Sequence, residues 1–200
     1  NTENYLSDSA AYVFANPDDD EPNATLFSKA ALTIAGNGEL TVDGQYNDGI
    51  ASKDGLLITS GTITINAADD GIRGKDYLII KTGTITVNAQ GDGFKADNEE
   101  DAERGYIAIE SGVIAITAGG DAMQAETDLV ITGGEFTITA GGGSTATLAA
   151  DVSAKGLKAG VSLTLDGGAY TIDAADDALH ANTSLVINGG NFTLATGDDA

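Results

Sequence analysis

Residues 68–76 read ADDGIRGKD, and the phrase returns with small changes as QGDGFKADN at 90–98 and AADDALHAN at 174–182. Carboxylates, a small residue, an apolar residue and a cation in fixed order mark one unit used many times. Working outward, the chain aligns on Gly38, Gly61, Gly83, Gly112, Gly134, Gly168 and Gly190, a period of roughly 22 residues. Before the glycine, from the second unit onward, lies an alternating apolar pair such as Leu56/Ile58, Leu78/Ile80 or Ile107/Ile109. After it lies another, from Leu40/Val42 and Ile63/Ile65 to Tyr170/Ile172 and Phe192/Leu194. Alternation at period 2 is the pattern of a strand with one buried face. A third short apolar column, Ile50, Ile72, Phe94, Met123, Leu157 and Leu179, follows directly on Gly or Ala, which predicts a corner of left-handed or crowded backbone.

Strands this short cannot bury their faces singly, whereas stacked turns enclose a continuous interior. The predicted fold is all-β: a right-handed parallel β-helix (β-solenoid) with three short strands per coil. A sandwich or barrel also uses short strands and regular turns, but agreement of the columns across seven repeats favours the solenoid. Residues 1–31 hold both prolines and no repeat match, so an irregular N-terminal cap is expected there, with 32–200 forming the coils of a single domain. Insertions near 97–105 and 141–156 are expected as loops on one corner side.

The chain carries 31 Asp and Glu against nine Lys and Arg, a net charge of −22. Such a field repels nucleic-acid phosphates and anionic membranes and points to cations or neutral partners. The apolar fraction of 42% is too high for a solvated acidic tail. Without cysteine there is no disulfide or thiolate metal site, and no apolar run reaches membrane-spanning length, so no membrane insertion is expected. Residue 1 is Asn, and no charged and apolar leader follows it.

The repeated phrase places Asp48, Asp70, Asp92, Asp121, Lys155 and Asp177 in one column, with Asp69 and Asp176 beside it. A second column holds Asp54 and Asp76, with Asp97 near the equivalent place. Stacked coils lie ~4.8 Å apart and Ca²⁺–oxygen bonds are about 2.3–2.6 Å, so one ion can bridge neighbouring turns. One His and no Cys disfavour zinc, copper and iron, which leaves Ca²⁺ as the expected cofactor; a solvated acidic turn is the alternative. An outward column, Arg73, Lys95, Gln124, Lys158 and His180, runs beside the ladder. Arg73, Lys95 and Lys158 either form salt bridges with the aspartates or, together with Ca²⁺, grip an acidic polymer. Tyr77 and Tyr106 share a column and are further candidates for packing on a sugar.

The phrases LFSKAALTI (26–34), NDGIASKDGLLITSGTITINAADDGIRGKDYLIIKTGTITVNAQGDGFKADNEED, AITAGGDAMQAETDLVITGG, SAKGLKAG and ADDALHAN resemble the bacterial carbohydrate-binding β-helix family related to a Clostridium thermocellum cell-surface protein. That family is similar in fold to family-nine polysaccharide lyases. The resemblance implies an extracellular or cell-surface module that binds calcium and polysaccharide, either cellulose or acidic polygalacturonate-like chains. It implies no catalytic residue unless the chain is a lyase, in which case Asp48, Asp69 and Asp70 imitate the calcium ligands and Lys95 the base. The lyase pattern asks for a further aspartate just after the adjacent pair, where this chain has Ile72 and Arg73. A third possibility is a structural surface protein that self-associates through open coil ends.

Overall fold

The structure, a computed structural model, describes residues 2–14, 16, 21–149 and 152–199. Its secondary structure among these residues is β throughout, and no helix is long and apolar enough to cross a membrane. One coil shows the plan: Ile72–Gly74, then Tyr77–Ile80, then Thr84–Ala89. Each strand pairs in parallel with its equivalent one coil away, so that Ile72 meets Phe94, Tyr77 meets Tyr106 and Thr84 meets Val113. The result is three parallel sheets wound into a right-handed β-helix. Sheet A contains Thr84–Ala89, sheet B contains Ile72–Gly74 and sheet C contains Tyr77–Ile80; they have eight, seven and seven strands.

The columns read from the sequence are the register of the structure. Ile50, Ile72, Phe94, Met123 and Leu157 stack inward along sheet B and are fully buried. Leu56, Leu78, Ile107, Leu129 and Leu163 do the same on sheet C. Burying each such side chain contributes about 1.5–3 kcal/mol, and no coil could gain it without its neighbours. On sheet A, Phe136, Tyr170 and Phe192 form an inward stack with centroids 4.9 and 4.8 Å apart.

Two expectations are corrected, and one alternative is decided. Residues 1–31 are not wholly irregular: Glu3–Ser7 joins sheet A and Ala24–Ser28 joins sheet B, each beside the first full coil. The two insertions emerge at different corners. Residues 97–105 connect sheet B to sheet C, whereas 141–156 connect sheet A to sheet B. Of the two causes expected for the glycines before the sheet-B apolar column, crowding is the one found: a Cβ on Gly71 would lie 2.4 Å from Val87 Cγ1 and 2.6 Å from the Gly93 carbonyl oxygen. Left-handed geometry belongs instead to the C-to-A corner, where Gly61, Gly83 and Gly112 have φ of 125°, 139° and 134°.

Candidate functional site

The repeated phrase falls at the corner where sheet A gives way to sheet B. Each sheet-A strand there ends on Gly44, Ala67, Ala89 or Ala118, a short turn follows, and an aspartate leads into the next sheet-B strand. These aspartates are tied to the backbone. Asp48 Oδ1 accepts the Asp70 amide at 3.2 Å, Asp70 Oδ1 the Asp92 amide at 2.8 Å, and Asp92 Oδ1 the Asp121 amide at 2.8 Å. Asp121 Oδ1 accepts the Lys155 amide at 2.8 Å, and Asp177 Oδ1 the Asp199 amide at 3.3 Å. Ionised acceptors form hydrogen bonds roughly twice as strong as neutral ones, so each aspartate rung clamps its corner onto the next. One oxygen of each carboxylate is consumed in doing so.

Most of the second oxygens meet the chain's own cations. Lys95 Nζ lies 3.0 Å from Asp70 Oδ2 and 2.8 Å from Asp92 Oδ2. Lys158 Nζ lies 2.7 Å from Asp121 Oδ2, and Lys155 Nζ lies 2.7 Å from Oδ2 of both Asp176 and Asp177. His180 Nδ1 is 2.8 Å from Asp177 Oδ2. Arg73 instead turns to Asp97, with Nε and Nη2 2.9 and 2.6 Å from Oδ2, and leaves its Nη1 3.9 Å from Asp48 Oδ2. Asp48 Oδ2 and Asp97 Oδ1 are therefore buried without a hydrogen-bond partner.

The titration behaviour follows this uneven pairing. Burial, then repulsion from Asp70, lifts Asp48 to about 7, with Arg73 opposing and Asp69 adding to the rise. Burial pushes Lys95 down, but Asp70 and Asp92 outweigh it and hold the ammonium above its ordinary value. Asp177 ends below its ordinary value because Lys155, His180 and the Asp199 amide overcome the effect of burial.

The ten carboxylates expected as metal ligands are thus divided. Among the described residues, the trio whose oxygens come within 4.8 Å of one another is Asp176, Asp177 and Asp198, and Lys155 already bridges the first two. Asp54 Oδ1 accepts the Gly55 amide at 2.9 Å. Asp76 stacks above Asp54, but the next residue in that column is Asn98, not Asp97; Asn98 Nδ2 donates to Asp76 Oδ1 at 2.5 Å and Arg104 pairs with Asp76 Oδ2. Asp97 sits in the preceding position and is committed to Arg73. The cations expected to hold a sugar acid, Arg73, Lys95 and Lys158, are spent on the protein's own aspartates. Tyr77 and Tyr106 stack on each other, with centroids 5.6 Å apart and planes at 22°, and Tyr77 also fills the space where a Cβ on Gly55 would stand. Tyr77 is thus covered on one side by Tyr106 and on the other by Gly55.

Sequence reading missed the partners that decide this outcome. Lys155 interrupts the aspartate column yet supplies charge to it, and Ser153 donates to Asp121 Oδ1 at 2.7 Å from within the 141–156 insertion. Asn98 stands 22 residues after Asp76, a spacing that the repeat itself carries.

A family model described as carbohydrate-binding domain-containing protein matches residues 1–200. The chain belongs to this carbohydrate-binding family. A relative of the same description from Acetivibrio thermocellus is 45% identical over 65 residues, which cover 32% of this chain and 23% of that protein. Among solved structures, the polysaccharide lyase-like protein from C. thermocellum, determined as a gadolinium derivative, is similar with a TM-score of 0.70 and 28% identity. That alignment covers 95% of this chain and 64% of the other. The chain therefore spans under a quarter of the curated relative and under two thirds of the structural one. The family matched is the one that the repeat phrases resemble.

Proposed function

We propose that this family member is a non-catalytic polysaccharide-binding module of the cell surface or exterior, which holds Ca²⁺ at the Asp48 end of the ladder and engages cellulose or acidic, pectin-type chains. The observation that carries the cation is Asp48 Oδ2, a buried carboxylate oxygen with no partner beside two further carboxylates, Asp69 and Asp70. That oxygen suits a hard, oxygen-seeking ion, to which Asp48 and Asp69 would offer carboxylate oxygens, with water completing the six to eight ligands Ca²⁺ takes; both Asp70 oxygens are already committed, to the Asp92 amide and to Lys95. Bound there, it would reverse the local sign of the surface and offer charge to a sugar carboxylate. Further along the ladder Lys95, Lys155 and Lys158 already supply the positive charge, so the proposal is confined to this end.

Lys95 argues against cleavage. A general base in β-elimination needs a neutral amine near the working pH, and two carboxylates hold this one protonated. The test is migration through gels containing polygalacturonate, with Ca²⁺ and then with chelator, alongside ultraviolet detection of unsaturated products. Retardation that requires Ca²⁺ and weakens in Asp48→Asn, without absorbance, is expected. Calcium-independent migration would refute the metal-bridged reading, and absorbance lost in Lys95→Ala would establish a lyase.

A further inference from the structure

On its outward face, close to the same corner, sheet A carries polar side chains that belong to no ion-pair ladder. Asp43, Asn66 and Asn88 are register partners on successive coils. Asn66 Nδ2 donates to Asp43 Oδ1 at 2.7 Å, and Asn88 Nδ2 donates to Asn66 Oδ1 at 3.0 Å. The Tyr5 hydroxyl takes the other Asp43 oxygen at 2.6 Å. The series stops at Asn88, because the next residue in the column is Thr117 and Asn88 Oδ1 receives no hydrogen bond from the described residues. These side chains border an open trough of about 650 Å³, lined by Asp43, Gln45, Asn66, Ala68, Asn88 and Gln90.

The turn that supplies Gln45 to the trough carries an aromatic residue next, Tyr46. Three residues, Gln45 to Asn47, separate Gly44 from Asp48, where two, Ala68 and Asp69, separate Ala67 from Asp70; the longer turn accommodates Tyr46. Tyr46 stacks on Tyr12 with centroids 4.1 Å apart and planes at 12°, and Phe14 stands edge-on to both rings. Asp8 fixes this arrangement by accepting the Tyr12 hydroxyl and the Gln45 amide, each at 2.6 Å. With one face taken, Tyr46 is still 37% exposed.

We infer that this trough binds a neutral, hydroxyl-rich saccharide chain lying along the solenoid axis, at a site separate from the charged ladder. The inference rests on the carbohydrate-binding reading above and gives its neutral ligand a site of its own. Amide side chains present a donor and an acceptor on one edge and can serve paired hydroxyls without a counter-ion. An amphipathic aromatic ring packs against the apolar face of a sugar. Asp43 and the net charge of −22 repel an anionic chain from this trough. Coils repeat at ~4.8 Å, so the three coils from Gln45 to Gln90 give a length of about 10 Å, enough for a disaccharide.

Affinity electrophoresis of the full chain tests the inference, with hydroxyethyl cellulose as the neutral probe and polygalacturonate plus Ca²⁺ as the acidic one. Asn88→Ala and Tyr46→Ala are each expected to weaken retention by the neutral glucan about tenfold, the effect of one lost stacking or hydrogen-bonding contact. Retention by polygalacturonate should not change in either variant, whereas Asp48→Asn should affect only the acidic probe. Asn88 is an exposed strand residue, so its variant reports on binding even where Tyr46→Ala loosens the N-terminal segment; matching thermal melts verify this. Unaltered neutral retention in Asn88→Ala, or none in the unmodified chain, overturns the trough. Absence of Ca²⁺-dependent retention by polygalacturonate in the unmodified chain counts against the calcium reading, while Asn88-dependent neutral retention supports the trough on its own.

Discussion

Asp48 carries a burden that no other rung of the ladder carries, because its second oxygen faces Arg73 only at 3.9 Å. Its folded-state value near 7 lies above the 3.8 of an unperturbed aspartate, so between those limits the folded protein binds more protons than the unfolded one. Stability from this group is therefore greatest below pH 4 and falls as pH rises through about 7. In chelator, Asp48→Asn is expected to raise the melting temperature at pH 8 and to change it little at pH 4.5, as a thermal melt at the two pH values will show. The difference is on the order of a few kcal/mol. Lys95 presents the converse case: Lys95→Ala strands Asp70 and Asp92 and should cost about 2 kcal/mol in urea unfolding. The aspartate column was legible from the 22-residue spacing of Asp48, Asp70 and Asp92. That one oxygen of each binds an amide of the next coil was not, because spacing locates a side chain without fixing what each of its atoms meets.

Among the elements, the corners separate what sequence conveys from what it hides. Inward residues such as Ile72, Leu78 and Ile85 could be assigned to strands and faces because a buried face imposes alternation. The insertions at 97–105 and 141–156 were legible as extra length, but their placement at different corners depends on which strand each interrupts. The glycines split likewise: Gly71 is required by crowding and Gly83 by its dihedral, two causes that leave the same letter in the sequence. Gly83→Ala should destabilise by about 2 kcal/mol, since φ of 139° is a region open essentially to glycine and the added Cβ would lie 2.9 Å from the Gly61 carbonyl oxygen. A urea midpoint shift with unchanged slope would measure it.

Across the whole molecule, coils act mainly on their neighbours, so stability accumulates along one axis. A cavity made in one coil is therefore felt chiefly by the coils on either side: Phe94→Ala, in the fully buried column between Ile72 and Met123, should cost about 3–5 kcal/mol in urea unfolding.

The aspartate clamp also gives the solenoid a direction of inheritance. From Asp48 to Lys155 each corner receives its position from the carboxylate of the coil before it, and every aspartate rung passes on the same instruction through its own, so such a coil is specified by its relation to a predecessor and not by its distance along the chain. Excising residues 68–89 would bring the Asp92 amide to the place that Asp70 now fills above Asp48, with Ile50 meeting Phe94 in sheet B. The shortened chain should retain its β circular-dichroism spectrum and unfold cooperatively, whereas excising half that length would set every later carboxylate against the wrong corner and abolish the transition.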